Sequence, residues 1–439
     1  MEMHGFVIHR HGINYLSVGV ILLCSSQLML EKTVFCDEAK STVERHGVAK
    51  HVRVLADDTF EGREGGRRGG RAAGSYIEQQ INPFGLISAG SEGSCFQAFA
   101  TRFGTLRNIL VMIPGSDAVL QNDVVVIGAH YDHVGYGNKR NSFGPFGYIH
   151  NGADDNASGV AALIEIVKKL VALPKPCRRT IVIAFWDGEE QGLLGSKYFL
   201  NNHPDCIKGK KIIFSINLDM IGRLRNDQLS VFGARSAIGL ETLITRINNR
   251  SKQSSVNLVF NWEITPNSDH HPFLSANVPT VMFHTGLHPD YHRPSDDSHL
   301  VNFAGIESVL DVAFQTLLQV ANGADGIFKF RKTAFRESNA SRKKLESKAF
   351  LPLDSRGRWG IGIRNDLANP ESPVVVAIRE GSPAERGGLQ IKDRIYKVNG
   401  VAVTDQKQLI KVLAESPLNL GVDVVVSRRG QFLNLHWTD

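Results

Sequence analysis

Apolar positions between residues 44 and 325 follow two alternating patterns. Continuous apolar runs, typical of strands covered on both faces, occur at 124–129, 180–186, 212–218 and 279–284. Stretches with a helical period occur at 157–173, 237–247 and 305–321. Because strands alternate with helices, this region predicts an α/β fold with a mostly parallel central sheet and helices on both faces.

The pattern changes twice beyond residue 325. Residues 326–348 are polar and basic without a clear period, and we interpret them as a solvated linker, with contact to acidic lipid as the alternative. Residues 349–439 contain short apolar runs, glycines and one helical stretch, which indicate a second, small β-rich domain. The predicted domains are therefore 44–325 and 349–439, joined by the basic linker.

The first 36 residues have the pattern of an export signal. His9, Arg10 and His11 precede the apolar run 13–30, and "VFC" before Asp37 offers a cleavage site. We interpret residues 1–36 as a signal peptide that sends the chain to the periplasm or the extracellular medium. An uncleaved anchor is the alternative, since the run approaches the ~20 residues that span a bilayer. Membrane contact is expected only through such an uncleaved leader.

The charge distribution argues against a nucleic-acid-binding surface, and the cysteine content argues against a cysteine-based metal site. Of the net charge of +6, the stretch 331–348 carries +5, from seven Lys/Arg and two Glu. The rest of the chain is close to neutral, so a nucleic-acid partner is not expected. After the leader only Cys95, Cys177 and Cys206 remain, irregularly spaced. They allow at most one disulfide and indicate no cysteine-based metal site.

Ionisable residues gather where the predicted strands end, which is where open α/β sheets build their sites. The segments are "GAHYDHVG" (His130, Asp132), "FWDGEEQG" (Asp187, Glu189, Glu190), "INLDMIG" (Asp219), "DYHRPSDD" (Tyr291, His292) and, at a loop-to-helix junction, "GADDNASG" (Asp154, Asp155). Each segment alone also fits a structural role, such as a helix cap or a solvated turn. Together they supply imidazoles and carboxylates, which are zinc ligands. Such sets with a shared carboxylate suit two metals about 3.5–4 Å apart.

The order of these segments, with "SDHHPF" and the upstream "LADDTFEGREGG", resembles the co-catalytic zinc aminopeptidase family. That family includes secreted bacterial leucyl aminopeptidases and, more distantly, the glutaminyl cyclases. The resemblance implies two Zn²⁺ per chain. His130 and Asp219 would complete one site, Glu190 and His292 the other, and Asp154 would bridge both. Manganese and cobalt remain alternatives to zinc, because imidazole and carboxylate ligands select only weakly among divalent metals.

The same resemblance implies roles beside the metals. Glu189 would be the general base, and Asp132 would hydrogen-bond the His130 imidazole. Tyr291 would stabilise an oxyanion, with a packing aromatic as the alternative, and Asp269 would lie beside the ligands or line the pocket. The resemblance also implies a cis peptide bond between Asp154 and Asp155.

The C-terminal region resembles a PDZ domain of the circularly arranged kind found in bacterial proteases. "RWGIGI" (358–363) precedes "VVVAIREGSPAERGGLQIKDRIYKVNGVAVTD", in which Lys392 replaces the usual glycine before Asp393. The resemblance implies that backbone N–H groups of "GIGI" bind the terminal carboxylate of a peptide or protein, with residues 404–416 as the flanking helix. A PDZ-like fold that packs on the first domain and binds no peptide is the alternative.

These observations favour an exported zinc aminopeptidase that hydrolyses N-terminal residues from peptides. Two alternatives remain: a glutaminyl cyclase-like transferase, and a catalytically degenerate peptide-binding scaffold. The donor residues alone do not separate the first alternative from an aminopeptidase. The complete set of predicted ligands argues against the second.

Overall fold

A computed structural model describes residues 47–250, 256–323, 328–347 and 357–439. The predicted leader, residues 1–36, lies outside the described residues. Residues Val48–Asp439 belong to one compact unit, which contains the elements that follow.

In its described residues, the first domain is a nine-stranded mixed sheet with helices on both faces. Its strands are β1 (Ile87–Ser88), β2 (Phe96–Thr101), β3 (Gly104–Ile113), β4 (Asp123–His130), β5 (Thr180–Trp186), β6 (Lys211–Leu218), β7 (Gln228–Phe232), β8 (Asn257–Phe260) and β9 (Thr280–His284). Its helices are α1 (47–55), α2 (Arg68–Ile81), α3 (Gly159–Val171), α4 (Leu194–Asn201), α5 (Leu240–Asn248), α6 (His270–Ser275) and α7 (Phe303–Asn322). The strand order is β1-β3-β5-β4-β6-β9-β7-β8, with β2 beside β3.

The four central strands, β5-β4-β6-β9, are parallel, and antiparallel pairs join them to the flanking strands. The prediction of a mostly parallel central sheet is therefore confirmed. The antiparallel pairs lie at its sides: β1 and β2 each pair with β3, β3 pairs with β5, and β7 pairs with β9. In the ladder His130 is level with Trp186, and Leu218 is level with Phe283. The carboxyl ends of the four parallel strands thus meet at one edge, where the ionisable segments begin.

Apolar side chains fill both faces of the sheet. One face packs against α1, α2, α3, α5 and α7, and the other packs against α4 and α6. Among the described residues α7 has the length and composition of a membrane-spanning helix, but 56% of its apolar window is buried in the molecule. Cys95, Cys177 and Cys206 are free thiols.

Helix α3 begins two residues later than the periodicity predicts. Residues Ala153–Ser158 form a wide turn in which Asp155 and Asn156 have non-helical dihedral angles. The side-chain oxygen of Asn156 accepts the N–H of Gly159, which caps the first turn of α3 (3.0 Å). The acidic pair therefore lies in the turn before the helix, and not in its first turn.

The second domain is an antiparallel sheet around its own apolar core. Its elements are β10 (Ile361–Arg364), β11 (Val374–Ile378), α9 (Pro383–Arg386), β12 (Arg394–Val398), β13 (Val401–Ala402), α10 (Gln406–Glu415), β14 (Val422–Arg428) and β15 (Gln431–Trp437). The order is β10-β11-β12-β14-β15, with β13 beside β12. Trp359, Leu409 and Trp437 are in its core. The predicted helix at 404–416 is present as α10.

The segment between the domains is packed where the structure describes it, contrary to the expected solvated spacer. It contains a 3₁₀ turn (Lys332–Arg336) and α8 (Asn339–Glu346). Glu337 pairs with Arg331 (2.7 Å) and with the buried Arg235 of the first domain (2.6 Å). The predicted boundaries of the linker stay predictions.

A hairpin turn of the second domain covers the edge strand of the first. The N–H of Leu258 in β8 donates to the carbonyl of Arg429 (2.9 Å), and the Gly430 carbonyl accepts from Asn248 and Asn249 (3.1 and 2.8 Å). An edge strand has unpaired backbone groups, and this turn pairs part of them.

Candidate metal centre

Two groups of imidazole and carboxylate side chains meet at the carboxyl edge of the central strands. One contains His130, Asp155 and Asp219, and the other contains His133, Asp155, Glu190 and His292. Within each group the donor atoms all lie within 4.8 Å of one another. The structure thus brings together the predicted His130, Asp219, Glu190 and His292, which lie at or beyond the carboxyl ends of four different strands.

Asp155 belongs to both groups. Its Oδ1 lies 3.4 Å from His130 Nε2, and its Oδ2 lies 3.1 Å from His292 Nε2. The structure therefore places Asp155, and not the predicted Asp154, where one carboxylate reaches both groups. The cis peptide bond is displaced by one residue as well, because it joins Asp155 to Asn156.

Asp154 faces the opposite side of the turn. Its Oδ1 accepts from the N–H of Gly222 (2.5 Å) and from the Ser158 hydroxyl (3.1 Å), and its Oδ2 lies 3.2 Å from His288 Nε2. Adjacent residues in a non-helical turn point in different directions. This carboxylate anchors the turn to the loop after β6 and does not enter either group of donors.

Asp296 stabilises the turn through hydrogen bonds to its backbone. Its buried Oδ2 accepts the N–H groups of both Asp154 and Asp155 (3.0 Å each). Burial, together with the charge of Asp154, raises the pKa of Asp296 to about 7. Asp296 lies in the segment "RPSDD" after His292, where the sequence analysis assigned it no role.

Arg63 supports the same turn. Its guanidinium is fully buried and donates to the carbonyls of Tyr131 (2.9 Å), Gly152 (2.8 Å) and Asp155 (3.3 Å). Burial lowers the pKa of Arg63 to about 10, although the charge of Asp155 acts in the other direction. The upstream "EGREGG" segment therefore supplies a cation that ties the end of β4 to the turn.

Asp132 is close to His130, but its contacts differ from those expected. The His130 Nδ1 lies 3.2 Å from the backbone carbonyl of Asp132 and 3.8 Å from its carboxylate. The carboxylate accepts instead from the N–H groups of Glu189 (3.0 Å) and Glu190 (3.3 Å). A backbone carbonyl can fix the His130 tautomer as well as a carboxylate can, and the Asp132 side chain positions the loop of the two glutamates.

Glu189 and Glu190 diverge although they are neighbours. Glu190 points to His133 (2.9 Å) and His292 (3.2 Å), and these partners lower its pKa well below the usual value against the effect of burial. Glu189 belongs to neither group of donors. Burial raises the pKa of Glu189 well above its usual value; the nearby His130 opposes this shift and Glu190 adds to it.

Two further predicted residues border the centre. The Tyr291 ring packs on the His292 ring, with centroids 3.9 Å apart, and burial raises the pKa of its phenol. Asp269 accepts a hydrogen bond of 2.5 Å from Ser196, and burial raises its pKa to about 6. The packing contact of Tyr291 is present, and its role toward an oxyanion stays a prediction.

An aromatic loop, residues 136–148, borders the centre. The N–H of Phe143 and the Ser142 hydroxyl both donate to the carbonyl of His292 (3.1 and 3.0 Å). The Phe143 ring is 63% exposed, and its centroid lies 6.1 Å from that of Tyr291. Three more exposed aromatic residues of the loop are Tyr136, Phe146 and Tyr148. The loop therefore presents apolar surface next to the centre.

The side chains of the centre suit a divalent cation. The His292 Nε2 is buried without a hydrogen-bond partner and faces two carboxylates, and the His133 Nδ1 faces the same two. Glu190 and Asp155 raise the pKa of His292 to about 11 against burial, which reflects an excess of negative charge. Imidazole nitrogens and carboxylate oxygens in this number match zinc.

Comparisons with known proteins agree with this arrangement. Residues 108–317 match the model of Peptidase family M28, and residues 374–426 match that of the PDZ domain. Leupeptin-inactivating enzyme 1 of Streptomyces exfoliatus is 29% identical over 242 residues, which are 55% of this chain and 48% of that one. Leucine aminopeptidase 1 of Trichophyton rubrum is 29% identical over 161 residues, 36% of this chain and 40% of that one. The chain thus spans about half, or less, of the length of these curated relatives.

Two solved structures share the fold of the first domain. The glutaminyl cyclase of Porphyromonas gingivalis has a TM-score of 0.52 at 20% identity, and the aligned region covers 62% of this chain and 97% of the cyclase chain. The LapA aminopeptidase of Legionella pneumophila has a TM-score of 0.51 at 16% identity, and the aligned region covers 64% of this chain and 70% of the LapA chain. At these identities the likeness establishes the fold.

Proposed function

We propose that this chain, which carries a domain of Peptidase family M28 followed by a PDZ domain, is a zinc-dependent aminopeptidase that releases N-terminal residues from peptides. The observation that carries the proposal is the position of Asp155 between two groups of zinc-type ligands, with Glu189 beside them in neither group. The curated relatives named leucine aminopeptidase and leupeptin-inactivating enzyme support it.

The residues would hold two Zn²⁺ in a defined way. His130 and Asp219 would bind one ion, Glu190 and His292 the other, and Asp155 would bridge them. Zinc bound there supplies Lewis-acid chemistry that polarises a carbonyl group and makes water a better nucleophile. Asp296 and Arg63 keep the bridging turn in place through hydrogen bonds to its backbone.

Glu189 would act as the general base. It would take a proton from the attacking water and pass the proton to the leaving amine, because its carboxylate lies beside the donors without joining either group. The Asp132 carboxylate, which accepts the Glu189 N–H, keeps this loop close to the donors. Tyr291, whose ring packs against His292, is the candidate donor to the oxyanion formed when water adds to the scissile carbonyl.

The test is an assay of the zinc-reconstituted protein with leucine anilide, a panel of peptides and a peptide with N-terminal glutamine. We expect hydrolysis of the anilide, and a fall of about 10²–10⁴-fold in kcat for Glu189→Gln with zinc content unchanged. Cyclisation of the glutamine peptide without hydrolysis would assign the chain to the cyclases instead. Zinc binding without either reaction would favour the scaffold.

The PDZ domain is proposed to bind the C-terminus of a peptide or protein. Strand β10 is an edge strand that pairs on one side with β11, and Trp359 before it donates from its indole N–H to the Leu413 carbonyl of α10 (2.8 Å). An edge strand beside a helix is the usual acceptor of an added peptide strand. Calorimetry with a peptide library in free-acid and amidated forms tests this, and equal binding of both forms would contradict it.

Export is proposed from the pattern of residues 1–36. Fractionation of cells expressing the full chain should recover the protein outside the cytoplasm, and N-terminal sequencing should show whether cleavage occurs before Asp37. Retention of the whole population in the cytoplasm would contradict the proposal.

A further inference from the structure

His133 belongs to the second group of donors, although the family resemblance assigned it no role. Its Nδ1 lies 2.9 Å from Glu190 Oε1 and 3.7 Å from Asp155 Oδ2. Its ring is edge-on to His292, with centroids 5.5 Å apart, and is 1% exposed. The imidazole is therefore directed into the space between these three side chains.

The backbone around His133 fixes that direction. Its N–H donates to the Arg63 carbonyl (3.2 Å), and a parallel bridge joins it to Glu64. On the other side, a Cβ at Gly152 would lie 2.5 Å from Cδ2 of the His133 ring, and Gly152 has a φ of +56°. Only glycine gives the ring its room at that position, so the imidazole has little freedom to turn away.

The two groups differ in the number of protein donors. The His130 group offers three and the His133 group offers four, with Asp155 shared. Zinc in proteins is mostly four-coordinate; four protein ligands close a site, and three leave a position for water. Building on the proposed di-zinc function, we propose that His133 is a protein ligand of the Glu190–His292 site. That site then fills first and holds its ion more tightly, whereas the His130–Asp219 site stays open and exchangeable.

The competing role for His133 is to orient Glu190 by donating a hydrogen bond from Nδ1. Substitution by asparagine separates the two roles, because its amide N–H occupies nearly the position of Nδ1–H and can still donate to Glu190. Alanine removes both functions. The matched control is His51→Ala, which removes an equally buried imidazole that bonds to Tyr76 (2.7 Å) and lies in neither group.

The experiment titrates zinc into the chelator-treated full chain by calorimetry and records the zinc X-ray absorption fine structure at one equivalent. For the wild type we expect two steps of unequal affinity and two imidazoles around the first ion. For His133→Ala and His133→Asn alike, we expect a loss of more than about 100-fold in the first step, beyond what an outer hydrogen-bond partner contributes, and one imidazole. His51→Ala should leave both steps unchanged.

Each outcome has a separate meaning. One imidazole in the wild type at one equivalent, or wild-type affinity in His133→Asn, would overturn the role of His133 while leaving the aminopeptidase proposal standing. A wild type that binds fewer than two zinc ions would instead overturn the di-zinc proposal. Near-UV circular dichroism of each variant tests whether it is folded. A folded His133→Asn variant that binds zinc as tightly as the wild type would show that His133 is not a zinc ligand.

Discussion

Arg235 of the first domain and Asp366 of the second form a two-pronged ion pair, with nitrogen–oxygen distances of 2.7 and 2.8 Å. Both side chains are almost fully buried, and Arg394 also donates to Asp366 (2.7 Å). Arg394 in turn pairs with Glu241 of α5 (2.8 Å). The two domains thus share a buried network of charges.

Loss of the Asp366 charge should weaken this junction strongly. Asp366→Asn leaves two buried guanidinium groups without full compensation, and breaking a buried pair costs about 3–5 kcal/mol. Urea unfolding of the full chain measures the loss, and limited proteolysis between the domains should become faster. The control is Glu371→Gln, whose exposed pair with Arg246 (3.0 Å) should contribute less than about 1 kcal/mol. Equal effects of the two variants would contradict the importance of the buried network.

The same network predicts a dependence of stability on pH. Arginine hydrogen bonds and charges hold the pKa of Asp366 below its usual value, against burial, and Arg235 does the same for Glu337. A depressed carboxyl pKa gives stability that is complete above the unfolded pKa of about 3.9–4.3 and is lost as pH falls through the folded value. The wild-type Tm should therefore fall steeply below about pH 4, and the fall should be shallower in Asp366→Asn. Parallel curves for both proteins would show that Asp366 does not carry the effect.

Adjacent aspartates should differ in their effect on zinc. Asp155→Asn removes the carboxylate that reaches both groups of donors, so we expect the loss of at least one of two zinc ions. Asp154→Asn alters the contacts with Ser158, Gly222 and His288, which lie outside the donor groups, and should retain both ions. Zinc per chain after dialysis, by atomic emission, distinguishes them. Full zinc content in Asp155→Asn would refute the assignment of the bridge.

Phe143 should contribute to substrate binding without affecting the metal. Its exposed ring lies beside Tyr291 and His292, and burial of a phenylalanine side chain is worth about 1.5–3 kcal/mol. Phe143→Ala should therefore raise the KM for peptides with apolar N-terminal residues about tenfold or more, with kcat and zinc content nearly unchanged. Leu367→Ala, at an exposed site of the second domain, is the control. An unchanged KM across the peptide panel would contradict a role for the aromatic loop.

Local sequence patterns are enough to predict the central strands and the main helices. The predicted runs at 124–129, 180–186 and 279–284 are β4, β5 and β9, because burial on both faces leaves a continuous apolar signal that is local in the chain. A predicted parallel strand also has a predicted carboxyl end, and these ends meet at one edge of the sheet. His130, Glu190 and Asp219 are therefore expected at that edge. The short flanking strands, such as β7 and β8, carry a weaker signal and were not predicted.

The direction of individual side chains depends on contacts between distant parts of the chain. Whether Asp154 or Asp155 reaches both groups depends on the dihedral angles of one turn, and those are fixed by Asp296 and Arg63, which are distant in the chain. His133 joins the donors because Gly152 leaves space for its ring. The Arg235–Asp366 pair joins residues 131 positions apart. Periodicity records which face of an element is buried, whereas these contacts depend on how separate elements pack, and no local pattern contains that information.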